Sequence, residues 1–296
     1  MFTGSRLTHR PKEVVITTDS TVDLSPELIA RFGIEVVPLY VEMDGKTYRD
    51  GVDVQPQALY DYYSRTGKLA RSSAANIEDY TALFARLSSQ GKAVVHINLS
   101  SEMSSTHQNA CIAAEPYEDV FVVDSRNLST GIGLVVVHAA EMAAQGLSAS
   151  DIASRAKELV SRVDASFVID AIEYLRSGGR CSAVAAFGAN LLKIKPSIQV
   201  ADGVMGVSKK YRGALPVCQH NYTMDKLRDL EDIDPRWVFV THSGMPQPME
   251  DAVVRQVQET GYFQEVHVTH AGCVISAHCG PGTVGVLFVR KTPLKK

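Results

Sequence analysis

The stretch "SAHCGPGTVGV", residues 276 to 286, contains Gly280-Pro281-Gly282-Thr283-Val284-Gly285, which matches the dinucleotide pattern G-x-G-x-x-G letter for letter. Its reading decides between a nucleotide-binding fold and another α/β arrangement. A dinucleotide loop follows a strand, opens a helix and is answered by an acidic residue about 20 positions later. Here 11 residues follow Gly285, and most of them read as an apolar strand, "VLFVR". No helix is available to aim its N-terminus at a pyrophosphate. The glycines are therefore read as turn residues that permit a tight bend and close backbone approach before the last strand. His278 lies among them, which predicts an exposed site at the end of a strand.

Upstream, β-branched runs alternate with helical patterns. "VVITT" (14 to 18) reads as a buried strand and ends at the loop signal "DST". Ser25-Pro26-Glu27 supplies a cap, a first-turn proline and an acid for a helix over 26 to 32. A strand over 34 to 43 precedes the Asp44-Gly45 turn, and helices are expected over 56 to 66 and from Asn76 to Gly91. Strands at 93 to 100 and 120 to 125 flank a helix, and further helices fit 128 to 145 and 150 to 163. This alternation predicts a mostly parallel sheet covered by helices. The loops 19 to 21, 99 to 107 and 124 to 131 leave the carboxyl ends of its strands and are rich in serine and threonine.

The second half changes character. Strands are expected at 166 to 170, 197 to 211, 237 to 242, 265 to 271 and 284 to 290, with an antiparallel hairpin at Asp202-Gly203. Helices fit 182 to 193, 222 to 230 and 247 to 260. The expected organisation is an N-terminal α/β domain over 1 to 163 and a C-terminal α/β domain with a mixed or antiparallel sheet over 164 to 296. Residues 1 to 12 read as a frayed tail.

Composition narrows the classes. A formal net charge of −3 gives no overall pull toward nucleic acid. No stretch approaches 18 consecutive apolar residues, and the N-terminus lacks a signal-peptide core. Five cysteines without C-x-x-C spacing read as reduced thiols in a cytoplasmic protein. Neither G-x-x-x-x-G-K-S/T nor a kinase glycine loop occurs, so no ATP chemistry is expected from the chain alone.

His96 and His138 lie inside apolar runs and read as core residues, while His267 and His270 fall on opposite faces of one strand. His270, His278 and Cys279 show no recognised zinc-ligand spacing, so no metal is expected. A serine hydrolase is the sharper rival: Ser72, Ser73, Ser100, Ser101, Ser104 or Ser105 with His278 and Asp19 or Asp124 would supply a triad. Yet no G-x-S-x-G elbow exists, and "THSGM" (241 to 245) does not match it. The residues alone stop at an α/β protein with a hydroxyl-rich, anion-binding site.

In order along the chain, the segments resemble the DegV family. They are "TDSTVDLSPELIARFGIEVVPL", "YRDGVD" (48 to 53), "RSSAAN" (71 to 76), "SSEMSSTHQNA" (100 to 110), "VDSRNLSTGIG" (123 to 133), "YLRSGGRCS" (174 to 182), "LLKIKPSIQVADGVM" (191 to 205) and "AHCGPGTVGV" (277 to 286). The resemblance implies a two-domain, cytoplasmic, bacterial lipid-binding protein of phospholipid metabolism. Such a protein holds one long-chain fatty acid in an apolar tunnel and presents its carboxylate to a separate fatty acid kinase, which makes an acyl phosphate. No cofactor and no catalysis by the chain alone are implied. The expected partners are the fatty acid, the kinase catalytic subunit and, transiently, a membrane, with no nucleic acid.

By motif, Ser72 stands where the family usually has the threonine of T-S-Q-P, Ser104 is the serine of S-G-T, and His278 precedes G-P-G. These three are expected to hold the carboxylate, with Ser73 and Ser105 contributing backbone N–H groups. Arg176 and Arg180, in an exposed-looking turn, are expected to contact the kinase. Apolar residues of 183 to 194 are candidate tunnel walls. The competing readings are a stand-alone esterase and a lipid sensor or transport protein without a kinase.

Overall fold

The computed structural model describes residues 12–182 and 194–294. The N-terminal half begins with β1 (Val14–Asp19), a 3-10 turn (Ser20–Val22), α1 (Pro26–Phe32), β2 (Glu35–Val37), β3 (Tyr40–Met43) and β4 (Lys46–Arg49). It continues with α2 (Pro56–Thr66), β5 (Arg71–Ser73), α3 (Ile77–Ser89), β6 (Ala93–Asn98), α4 (Thr106–Ala114), β7 (Val120–Asp124), α5 (Thr130–Ala144) and α6 (Ala149–Val160). The C-terminal half contains β8 (Val163–Asp164), β9 (Ser166–Val168), α7 (Ile172–Gly178), β10 (Ile194–Ala201), β11 (Val204–Arg212) and α8 (Leu215–Lys226). It ends with β12 (Ile233–Ser243), α9 (Gln247–Glu259), β13 (Glu265–His270), α10 (Cys273–Cys279) and β14 (Thr283–Arg290).

The expected α/β class holds. Strands β2-β1-β6-β7 form a four-stranded sheet with every pairing parallel. β1 and β6 are buried along almost their whole length, which is why they read as continuous apolar runs. The C-terminal sheet runs β11-β10-β9-β14-β12-β13 with β8 on β14, and it is antiparallel apart from the β12–β13 pair. Both hairpins expected from Asp-Gly turns form, β3–β4 and β10–β11. Hydrophobic packing is continuous from Val15 and Ile97 in the first sheet to Phe167 and Leu287 in the second. A satellite core of Tyr222, Val240, Val253 and Phe288 lies under α8 and α9. Asp164, buried on β8, is paired with Lys226 and Arg290, which ties α8 to the last strand.

Several expectations need correction. The strand over 34 to 43 is two strands in different sheets, because Pro38 cannot donate to a ladder. The small sheet β4-β3-β5 is the result, and it carries Ser72. The helix expected at 222 to 230 runs instead from Leu215 to Lys226, with a proline in its first turn. Two seven-residue helices, α7 and α10, were not expected. His278 therefore sits half-buried in the last turn of a helix, not exposed at the end of a strand. The tail, apart from Lys12, and the helix expected over 182 to 193, apart from Ser182, lie outside the described residues.

Gly280 leaves α10 at φ 68° and Gly282 follows at φ 78°, left-handed values that favour glycine, and β14 begins at once. The G-x-G-x-x-G stretch thus closes a helix and opens a strand, the reverse of a dinucleotide loop.

Candidate functional site

The site is assembled around α10. This helix is short and apolar, and all its residues except His278 are buried. Its first backbone N–H groups have no intrahelical partner and need acceptors from elsewhere. Asp23 Oδ1 accepts from Gly272 N–H at 2.7 Å, Asp50 Oδ1 from Cys273 N–H at 2.7 Å, and Asp50 Oδ2 from Val274 N–H at 3.4 Å. The two acids come from "STVD" and "YRDGVD", so both segments act by holding this helix. Ser129 donates to Asp23 at 2.5 Å, and Ser20 donates to Asp50 at 2.9 Å. Burial raises the pKa of Asp23 and Asp50, partly offset by these donors, and that of Asp19, partly offset by hydrogen bonds from Thr21 and Leu99. A negative charge at a helix N-terminus is in turn favoured by the helix dipole.

At the other end of α10, His278 Nε2 lies 2.7 Å from Ser72 Oγ. Ser72 is placed by β5, whose pairing sets it opposite Val41 of β3. Gly178 of α7 packs directly on the imidazole: a Cβ there would lie 2.1 Å from Nδ1. That contact gives the first glycine of "RSGGR" its reason. Nδ1 is buried without a hydrogen-bond partner. Placing the proton on Nε2 avoids a buried, unpaired N–H, and Nε2–H then donates to Ser72 Oγ. The Ser72 hydroxyl proton is left to point at a ligand. Burial, with a smaller contribution from Arg180, pushes the His278 pKa down to about 4, so the ring is neutral at pH 7.

Two hollows meet at this pair. One is a narrow hollow walled by Leu39, Leu99, Met103, Leu128, Met205 and Ile275, with Ser72, Ser73, Ser104 and His278 at its polar end. A further small apolar hollow, lined by Phe167, His242, Leu287 and others, shares Leu128, Ile275 and Cys279 with it. The other is a wide polar cleft that includes Lys68, Arg71, Glu173 and Arg180 and reaches the same Ser72 and His278. Ser104 Oγ accepts from Thr106 N–H at 3.2 Å, which leaves its O–H free to donate.

The structure thus brings Ser72, Ser73, Ser104 and His278 together. Ser105 is exposed and does not line the cavity. Arg180 is exposed and reaches both hollows, closer to the imidazole than its expected place on a partner surface suggested, whereas Arg176 lines neither. The other hydroxyls of the expected anion site are engaged internally: Ser100 donates to Gly203 O, Ser101 to Asp124 and Thr21 to Asp19. The hydrolase triad is not assembled among the described residues. Asp19 bonds Thr21 and Leu99, Asp124 bonds Ser101 and Arg126, and neither reaches His278 Nδ1. Sequence reasoning assigned no role here to Asp23, Asp50 or Gly178; the segments that contain them were recognised, but their long-range contacts carry no local signal.

Comparison with known proteins agrees along nearly the whole chain. The sequence model described as "Uncharacterised protein, DegV family" matches residues 13–291. A DegV domain-containing protein from Caldanaerobacter subterraneus is 32% identical over 286 residues, covering 95% of this chain and all of the relative. A solved Thermus thermophilus DegV family protein, described as fatty-acid-binding, superposes with a TM-score of 0.86 at 27% identity, covering 94% of this chain and 99% of the other. The Bacillus subtilis protein DegV, described as a fatty acid binding protein, gives a TM-score of 0.80 at 26% identity over 95% of this chain and 100% of the other.

Proposed function

The chain belongs to the DegV family, and on that premise we propose that it binds one long-chain fatty acid with its carboxylate at Ser72, Ser104 and His278. The observation that carries this reading is the junction of an apolar cavity with a polar cleft at the Ser72–His278 pair. A fatty acid makes two opposed demands, a dry place for the tail and partners for an ionised head. The hydroxyls of Ser72 and Ser104 donate to the carboxylate, His278 orients Ser72 from behind, and Arg180 adds positive charge at the mouth. A tail of about 15 methylenes contributes on the order of 12 kcal/mol gross. One charge-assisted hydrogen bond nets about 1.5–3 kcal/mol. The tail therefore dominates affinity and the head fixes direction.

The finer reading is presentation. The carboxylate faces the polar cleft, where a separate ATP-dependent fatty acid kinase converts it to an acyl phosphate. A carboxylate is already a nucleophile toward a γ-phosphate, so no base is needed and the chain alone catalyses nothing. Arg176, Arg180 and the cleft rim form the kinase contact, and the protein works in the cytoplasm with no cofactor of its own. We assign the parallel sheet to a domain over 1–163 and the mixed sheet to one over 164–296, with the site between them. The test is the triple change Ser72→Ala, Ser104→Ala, His278→Ala. Weakened fatty-acid binding and loss of acyl phosphate formation with the kinase are expected. Survival of both would overturn the assignment, and survival of binding alone would confine the three residues to presentation.

A further inference from the structure

A second cluster lies on the C-terminal sheet, away from the Ser72–His278 pair. β12 and β13 are parallel neighbours joined by α9, and their register sets His242 directly beside His270 at the carboxyl ends of both strands. Ligands of α/β units gather at such ends. The two imidazoles meet edge to face with centroids 4.4 Å apart. The first turns of α9 bring Glu250 against them, with Oε2 2.8 Å from His242 Nε2. We propose that His242, Glu250 and His270 form a binding site for one divalent cation of the zinc class.

The donor atoms of the three residues all lie within 4.8 Å of one another. A zinc-type cation holds its ligands at about 2.0–2.2 Å, which places neighbouring donor atoms roughly 3–4 Å apart. His242 is 3% exposed, its Nδ1 has no hydrogen-bond partner, and its Nε2 lies 2.8 Å from Glu250 Oε2. A cation between Nε2 and the carboxylate is bound by both. Glu250 Oε1 accepts from Gln247 Nε2 at 2.9 Å, which orients the carboxylate as outer hydrogen bonds orient metal ligands. His270 is exposed and gives the ion a way in. Two imidazoles and one carboxylate suit zinc and its neighbours, with a fourth position left to water. The cluster does not include Ser72 or His278, but His242 also lines the apolar hollow that adjoins the lipid junction through Leu128, Ile275 and Cys279. Thr241 and Ser243, flanking His242, bond Thr130 and Tyr60 toward the first sheet.

The test is calorimetric titration of chelator-treated, full-length protein with zinc chloride, repeated with cobalt(II) and followed by its visible absorption. The wild type is expected to take up one equivalent of either ion and to show the intense band of four-coordinate cobalt. His270→Ala and Glu250→Gln, checked for native circular dichroism, are expected to weaken uptake at least tenfold, and His220→Ala to leave it unchanged. A wild type that takes up neither ion overturns the proposal. So does undiminished uptake by both His270→Ala and Glu250→Gln, which would assign binding to other histidines or the free thiols.

Discussion

One of the hollows that meet at Ser72 and His278 is walled by Leu39, Leu99, Met103 and Ile275; the other is bordered by Lys68, Arg71, Glu173 and Arg180. The same pair of side chains ends both. The first carries its polar groups, Ser72, Ser73, Ser104 and His278, at one end only, whereas the second is lined mainly by polar and charged side chains. Under the proposed function, a fatty acid would place its tail in the first and its head toward the second, crossing at the pair. The contrast teaches that affinity and orientation are divided between the two sides, so each can be perturbed alone.

The largest effect is expected on the apolar side. Shortening a bound acid from 16 to 12 carbons removes about 3 kcal/mol of tail burial, a roughly 200-fold loss in affinity at about 0.8 kcal/mol per methylene. A flat chain-length series by calorimetry would break the division of labour. Next comes the head. Ser72→Ala or His278→Ala is expected to cost about 1.5–3 kcal/mol in acid binding. Gly178→Ala should cost a similar amount without removing any polar atom, because its new methyl displaces the imidazole. If Gly178→Ala binds as the wild type does, the position of His278 is not set by α7.

The same histidine predicts a pH effect. In the unfolded chain its imidazole takes up a proton near the ordinary 6.5, but in the folded protein only near 4. Between those values the unfolded state binds more protons, so this group's contribution is complete above 6.5 and is lost as pH falls toward 4. Denaturant unfolding at pH 7.5 and pH 5 should show wild type losing about 2 kcal/mol relative to His278→Gln. Asp23 has the opposite sign. Its folded pKa is raised by burial, so the folded state binds more protons above the ordinary 3.8. Relative to Asp23→Asn, wild type should lose stability as pH rises through that raised value, and a difference independent of pH would contradict it. The smallest effect belongs to Arg180. It is exposed, so Arg180→Gln should weaken acid binding by less than about 1 kcal/mol. A larger loss would make it a principal carboxylate partner.

Much of the architecture was legible in the sequence. Buried β1 and β6 announce themselves as β-branched runs, and the caps at Ser25 and Asn76 mark their helices. Ser72, Ser104 and His278 were reached through ordered family motifs, not through local physics. What escaped was set by distant contacts. α10 has seven residues, almost all buried, and so shows no polar face to reveal a helix. Its acceptors, Asp23 and Asp50, lie 249 and 223 residues away from the N–H groups they bind. His242 and His270 meet only through the register of β12 with β13, and "THSGM" carries no sign of it.

The most direct measurement compares two ligands that differ only at the head. Delipidated protein is titrated with palmitic acid and with hexadecanol. The account predicts that both bind through the tail, with the acid at least tenfold tighter. Equal affinities, or no binding of either, would contradict the placement of a carboxylate at Ser72, Ser104 and His278.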